Sequence, residues 1–133
     1  MADSRIKVVT MESSILNLFR YAENTQTFAA GETIFAEGTP GREMYVVLDG
    51  SVDIRVRDKT LDVAGPGGIF GEMALIDSSA RSATAIAMED CTLAPVDEKQ
   101  FLRMVERNPL FSLNVMQVLA DRLRRMDSML SVG

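Results

Sequence analysis

Histidine is absent from this 133-residue chain, and so is tryptophan. Without histidine there is no ordinary general base, no imidazole zinc ligand, and no Ser-His or Cys-His nucleophile pair. A single cysteine, Cys91, excludes an internal disulfide and any Cys-x-x-Cys metal site, and its apolar strand context reads as a buried filler. Hydrolysis of a phosphodiester needs a metal or a strong base, and no cluster of Asp and Glu replaces the missing ligands. The expectation is therefore a protein that is not an enzyme, without catalytic residues, metal or cofactor. Positive charge is also short, 14 Lys and Arg against 19 Asp and Glu for a net charge of -5. That argues against holding DNA or RNA by phosphate neutralisation, so no nucleic-acid partner is expected through this domain alone. No apolar run approaches the roughly 20 residues needed to span a bilayer. Met1 to Arg20 lacks the apolar core of a signal peptide. No membrane partner and a cytoplasmic location are the expectations.

What is present reads as one folded domain over 1–133, with 47% apolar and 25% charged residues. Residues 1–24 form an N-terminal helical segment, with a helix over Met11 to Tyr21 starting near Glu12-Ser13-Ser14. From Thr25 the pattern changes to short apolar runs between turn signals. Strands are predicted over Thr33 to Glu37, Met44 to Leu48, Ser51 to Arg57, Thr60 to Ala64, Thr84 to Ala87 and Cys91 to Val96. Asp49-Gly50 is predicted as a tight hairpin turn and Asp58-Lys59 as a second turn. Val52, Ile54 and Val56 alternate with Asp53, Arg55 and Arg57, which predicts one wet face. Strands at this spacing suggest a sandwich or barrel over 25–97. The rest, 98–133, is helical: Glu98 to Asn108, then a run from Leu110 to about Leu130 with Pro109 in its first turn. Met116, Leu119, Leu123, Met126 and Leu130 follow a heptad spacing, read either as packing on the β-domain or as a seam for self-association. Arg122, Arg124 and Arg125 read either as favourable charges near a helix end or as contacts to a ligand or partner.

The stretch from Phe70 to Ala85 carries the chemistry. Gly71, Glu72, Met73 and Ala74 open a short helix-compatible run, and a helix start exposes backbone N–H groups that favour an anion. Arg81, followed by Ser82 and Ala83, adds a full positive charge in a fork suited to a phosphate. Glu72 would repel that phosphate. It makes sense if the ligand also carries hydroxyls, because an ionised carboxylate is a pure acceptor. A ligand with one phosphate and one free sugar hydroxyl meets both demands.

These residues resemble the cyclic-nucleotide-binding domain family: catabolite-activator-type regulators, regulatory subunits of cyclic-AMP-dependent kinase, and cyclic-nucleotide-gated channels. The family's phosphate-binding cassette, F-G-E-[LM]-A-L followed after a gap by P-R-x-A-T, matches Phe70-Gly71-Glu72-Met73-Ala74-Leu75 and Ala80-Arg81-Ser82-Ala83-Thr84. The glycine frame matches as well, at Gly31-Glu32, Glu37-Gly38, Gly50 and Gly65-Pro66-Gly67. The resemblance implies an α+β, mainly β fold: an eight-stranded, jelly-roll-like β-roll with an N-terminal helix, a short cassette helix over part of 70–85, and C-terminal helices. It implies that Glu72 accepts the ribose 2′-OH and that Arg81 pairs the cyclic phosphate. Backbone N–H groups near Gly71, Met73, Ala74 and Ala83 would ring that phosphate, and Ser82 would add a hydroxyl contact. The C-terminal helix would close over the purine, with Arg122 to Met126 as the lid. The implied ligand is cyclic AMP, with cyclic GMP as the alternative, and the implied role is a sensor that signals through its C-terminal helix. The alternative is the binding part of a transcription regulator or channel whose effector domain lies outside this chain. A second copy or an effector protein would then meet the C-terminal helix. The chain departs from the cassette at Ala80, where the family's proline is missing. That raises the entropy of the unbound loop, at about a few tenths to 1 kcal/mol.

Overall fold

A computed structural model describes residues 10–77 and 80–132, with backbone alone for 130–132. The first nine residues of the expected N-terminal segment, and Ser78 and Ser79 of the cassette, fall outside that range. Helix α1 covers Met11–Leu18 and is shorter than predicted. Its cap is Thr10, whose hydroxyl accepts from the Ser13 N–H while the Ser13 hydroxyl accepts from the Thr10 N–H. Glu12, Ser13 and Ser14 thus lie in the first turn, where the sequence placed the helix start.

Eight strands follow among the described residues: β1 Gln26–Phe28, β2 Thr33–Phe35, β3 Met44–Asp49, β4 Val52–Val56, β5 Lys59–Ala64, β6 Ile69–Phe70, β7 Thr84–Ala87 and β8 Cys91–Val96. They form two four-stranded sheets, ordered β1-β8-β3-β6 and β2-β7-β4-β5, with antiparallel pairing throughout. Helix α2, Met73–Ile76, interrupts the roll between β6 and β7. Helices α3, Glu98–Arg107, and α4, Pro109–Val132, complete the chain. Asp97 caps α3 through a reciprocal pair with Gln100. Pro109 is the first residue of α4, where its missing N–H costs nothing.

Strand β3 separates two cores. Tyr45 and Val47 point between the sheets, onto Val52, Ile54, Phe70, Ala85 and Leu93. Met44 and Val46 point the other way, onto Ile15, Ile69, Ala94, Val96, Phe111 and Val115. The second cluster ties α1 and α4 to the roll, and Phe111 lies between Phe19 and Phe101 at ring-centroid distances of 6.0 and 5.7 Å. Burying each large side chain of this kind contributes about 1.5–3 kcal/mol.

Several local expectations are corrected. Asp49-Gly50 does not close a hairpin, because β3 and β4 belong to different sheets. The turn carries the chain across the sandwich, and turn chemistry alone does not say which sheet the next strand joins. The β4–β5 hairpin does exist, but its turn residues are Arg57 and Asp58, both in the left-handed region at φ 52° and 65°. Lys59 already belongs to β5. Asp53, predicted on a wet face, is only 5% exposed. It lies under Arg55 and Thr60, which donate to its two oxygens at 2.6 and 2.8 Å. On α4 the heptad positions divide: Met116 and Leu123 are exposed, while Leu119 and Met126 turn toward the roll. The buried seam of the helix is instead Phe111 and Val115.

Candidate functional site

One cavity of about 200 Å³ lies between the open end of the sandwich, α2 and α4. Its inner wall is apolar, built by Phe35, Ile54, Val56 and Leu61 from the strands and by Leu119 and Met126 from α4, with the largely exposed Leu123 at its rim. The polar side chains at its edge are Glu72, Arg81, Ser82 and Arg122. All ten residues expected at the site line this cavity: Phe70, Gly71, Glu72, Met73, Ala74, Arg81, Ser82, Ala83, Arg122 and Met126.

Arg81 is placed by backbone pairing on both sides of its α-carbon. Its N–H donates to the Thr39 carbonyl and its carbonyl accepts from the Gly38 N–H, each at 2.8 Å. The loop after β2 therefore fixes the residue although the expected proline is Ala80. Its side chain is nearly buried. Nη1 donates to the carbonyls of Glu43 at 2.6 Å and Gly71 at 3.3 Å. The guanidinium carbon lies 4.1 Å from the Phe35 ring centroid, a cation–π distance. Tyr45 and Phe70 continue the stack below at 5.3 Å. Burial lowers the Arg81 pKa, opposed by Tyr45, Glu43 and Glu72. Nε is buried without a hydrogen-bond partner. Leaving a buried donor unpaired costs about 1–3 kcal/mol.

Two glycines make room for it. Gly71 has φ +78°, and a Cβ there would lie 2.8 Å from Arg81 Nη1. At Gly41 a Cβ would fall 2.0 Å from Arg81 Nε. The cassette turn itself uses some of its donors, since the Ala74 N–H bonds the Gly71 carbonyl at 3.2 Å. That engages one of the N–H groups expected to ring an anion.

Glu72 is held differently. Both its oxygens accept from Arg122 Nη1, at 3.0 and 3.2 Å. Arg122 Nη2 donates to the Ile69 carbonyl at 2.6 Å, and Nε donates to Asp62 at 3.1 Å. Arg125 also pairs with Asp62, and Arg124 pairs with Asp121. The reading of these arginines as charges at a helix end is corrected, because α4 continues to Val132. Arg122 sits at the carboxylate, not at the apolar wall.

A model of the cyclic nucleotide-binding domain matches residues 25–108. The chain belongs to this family. A curated relative, the cyclic AMP receptor protein of Thermus thermophilus, is 37% identical over 105 residues, covering 75% of this chain and 49% of that protein. The chain thus spans about half the length of the curated regulators it matches. A cAMP-dependent protein kinase regulatory subunit from Eremothecium gossypii is 39% identical over 75 residues, 56% of this chain and 16% of that one. Among solved structures, the Thermus thermophilus catabolite activator protein superposes with a TM-score of 0.73 at 34% identity, covering 90% of this chain and 58% of that chain. The eight-stranded, mainly β roll with flanking helices is the fold of this family. No helix among the described residues is long and apolar enough to cross a membrane.

Gly41 beside Arg81 and Asp62 beneath Arg122 were not singled out from the sequence. Gly41 sat in a turn cluster that any loop could show. Asp62 lay in a strand pattern with no hint that α4 would reach it.

Proposed function

We propose that the chain is a non-catalytic, cytoplasmic sensor module that binds a cyclic purine mononucleotide, cyclic AMP first, and signals through movement of α4. One observation carries the reading: a buried arginine and a buried carboxylate line the same small, largely apolar cavity. The cation suits a single phosphate and the carboxylate a sugar hydroxyl. The apolar wall suits the faces of a purine. The name of the Thermus relative, a cyclic AMP receptor, supports the choice of nucleotide. Calorimetric titration with cyclic AMP and cyclic GMP tests it. Saturable binding of cyclic AMP, tighter than that of cyclic GMP, is expected; binding of neither overturns the reading.

A second reading makes this unit the sensing part of a longer transcription regulator. It is favoured by the 49% coverage of the Thermus relative. The native reading frame beyond Gly133 tests it: a further folded domain supports it, and a stop codon at that point removes it.

A further inference from the structure

We infer that Asp62 is a positioning residue, the anchor that docks α4 over the cavity and aims Arg122 at Glu72. The inference rests on the sensor reading only for its effect on ligand; the anchoring itself stands without it. Directly paired residues on neighbouring strands share a face. Asp62 pairs with Ile54, whose side chain lies in the sandwich core, and Ala64 pairs with Val52 in the same way. A carboxylate therefore occupies a core-facing register of edge strand β5, where packing alone would place an apolar residue. The register steps from Ile54↔Asp62 to Arg55↔Thr60, so Leu61 is the extra residue of a bulge. Bulges re-aim side chains at the edges of sheets. Here Leu61 is buried at the cavity while Asp62 meets the helix.

Asp62 takes two arginines that lie three residues apart on one side of α4. One oxygen accepts from Arg122 Nε at 3.1 Å, and the other accepts from Arg125. With Nε on Asp62 and Nη2 on the Ile69 carbonyl, only Nη1 is left facing Glu72. Two fixed edges set the plane of the guanidinium. Arg122 in turn offsets the charge of Glu72, which would otherwise repel a phosphate bound at Arg81. Both partners are largely shielded, with side-chain exposures of 11% for Arg122 and 22% for Asp62, so screening by solvent is reduced.

The test is amide exchange of the ligand-free protein, followed by titration, for Asp62→Asn and Asp62→Glu. In Asp62→Asn, the Leu119 to Met126 amides should exchange about ten- to hundredfold faster, as expected for losing a hydrogen bond to a charged group. The strands should exchange as in the parent. Asp62→Glu should restore much of the protection. Cyclic AMP affinity should fall in Asp62→Asn, and that fall should vanish in an Arg122→Ala background. Unchanged α4 exchange in Asp62→Asn overturns the anchor. A loss of affinity that persists without Arg122 overturns the aiming role. Failure of every variant and the parent to bind cyclic AMP refutes the sensor reading while leaving the exchange result to decide the anchor.

Discussion

Two charged residues of the cavity, Arg81 and Glu72, are positioned in opposite ways. Arg81 is held by what lies around it in the roll: backbone bonds to Gly38 and Thr39, the carbonyls of Glu43 and Gly71, and the Phe35 ring. Glu72 is held by a side chain 50 residues further along, on a helix outside the roll. The Arg81 end of the cavity is thus a property of the β-roll, and the Glu72 end is a property of the contact between roll and α4. A ligand that touches both ends joins two parts of the molecule that otherwise meet through the helical core and the Asp62 pairs. Any ligand-driven motion of α4 must come from a difference in affinity between its two positions. On the proposed function Glu72 is where that difference would arise, because a sugar hydroxyl would share with Arg122 the same carboxylate.

The most severe way to break this contrast is to remove the cation. Arg81→Ala should cost about 2–5 kcal/mol in cyclic AMP binding, a loss of about 30-fold to several thousandfold. The α4 amides should keep their protection, since Arg81 bonds only the roll. Calorimetry and exchange on the same sample check both halves, and an unimpaired variant would refute the cassette assignment.

A smaller effect is expected at the other end. Glu72→Ala should weaken cyclic AMP by about 1.5–3 kcal/mol, the worth of a hydrogen bond to a charged group. The same change leaves Arg122 without its buried partner, so α4 should also loosen. A 2′-deoxy cyclic nucleotide should bind the parent poorly, and its penalty should largely disappear in Glu72→Ala. Strict additivity of the two losses would show that Glu72 does not meet the 2′-OH.

The mildest test leaves both charges in place. Gly41→Ala puts a methyl group where Arg81 Nε now sits, and the flexible guanidinium is the part that gives way. Binding should weaken by about tenfold, or about 1.4 kcal/mol. The melting temperature should stay near that of the parent and the 2′-deoxy penalty should be unchanged. Parent-like affinity would show that the guanidinium position described here is not the one the ligand uses.

The same contrast explains what could be read from the sequence. Arg81 and Glu72 stood out because the cassette is contiguous, and six strands stood out as apolar runs between turn signals. Gln26–Phe28 and Ile69–Phe70 are too short to show a period. Eight strands were expected only through the family resemblance. Asp49-Gly50 was misread because a turn signal is local, whereas membership in a sheet is decided by partners far along the chain. Asp62 and Arg122 meet across 60 residues. Nothing in the neighbourhood of either residue announces the other. The heptad spacing on α4 was real as a pattern, yet its positions point partly to the cavity and partly to solvent, because Phe111 and Val115 set the rotation of the helix.

Strand β3 carries a consequence of its own. On most half-buried strands a one-residue slip would expose apolar side chains and bury polar ones, and that penalty holds the alignment. From Met44 to Val47, β3 is buried on both faces, so polarity supplies no such penalty. Its alignment is kept by shape: Tyr45 stacks on Phe70 at 5.3 Å on one side, while the unbranched Met44 fills the space among the helices on the other. The strand that anchors β6, and with it the start of the cassette, is therefore aligned by how the side chains on its two faces fit.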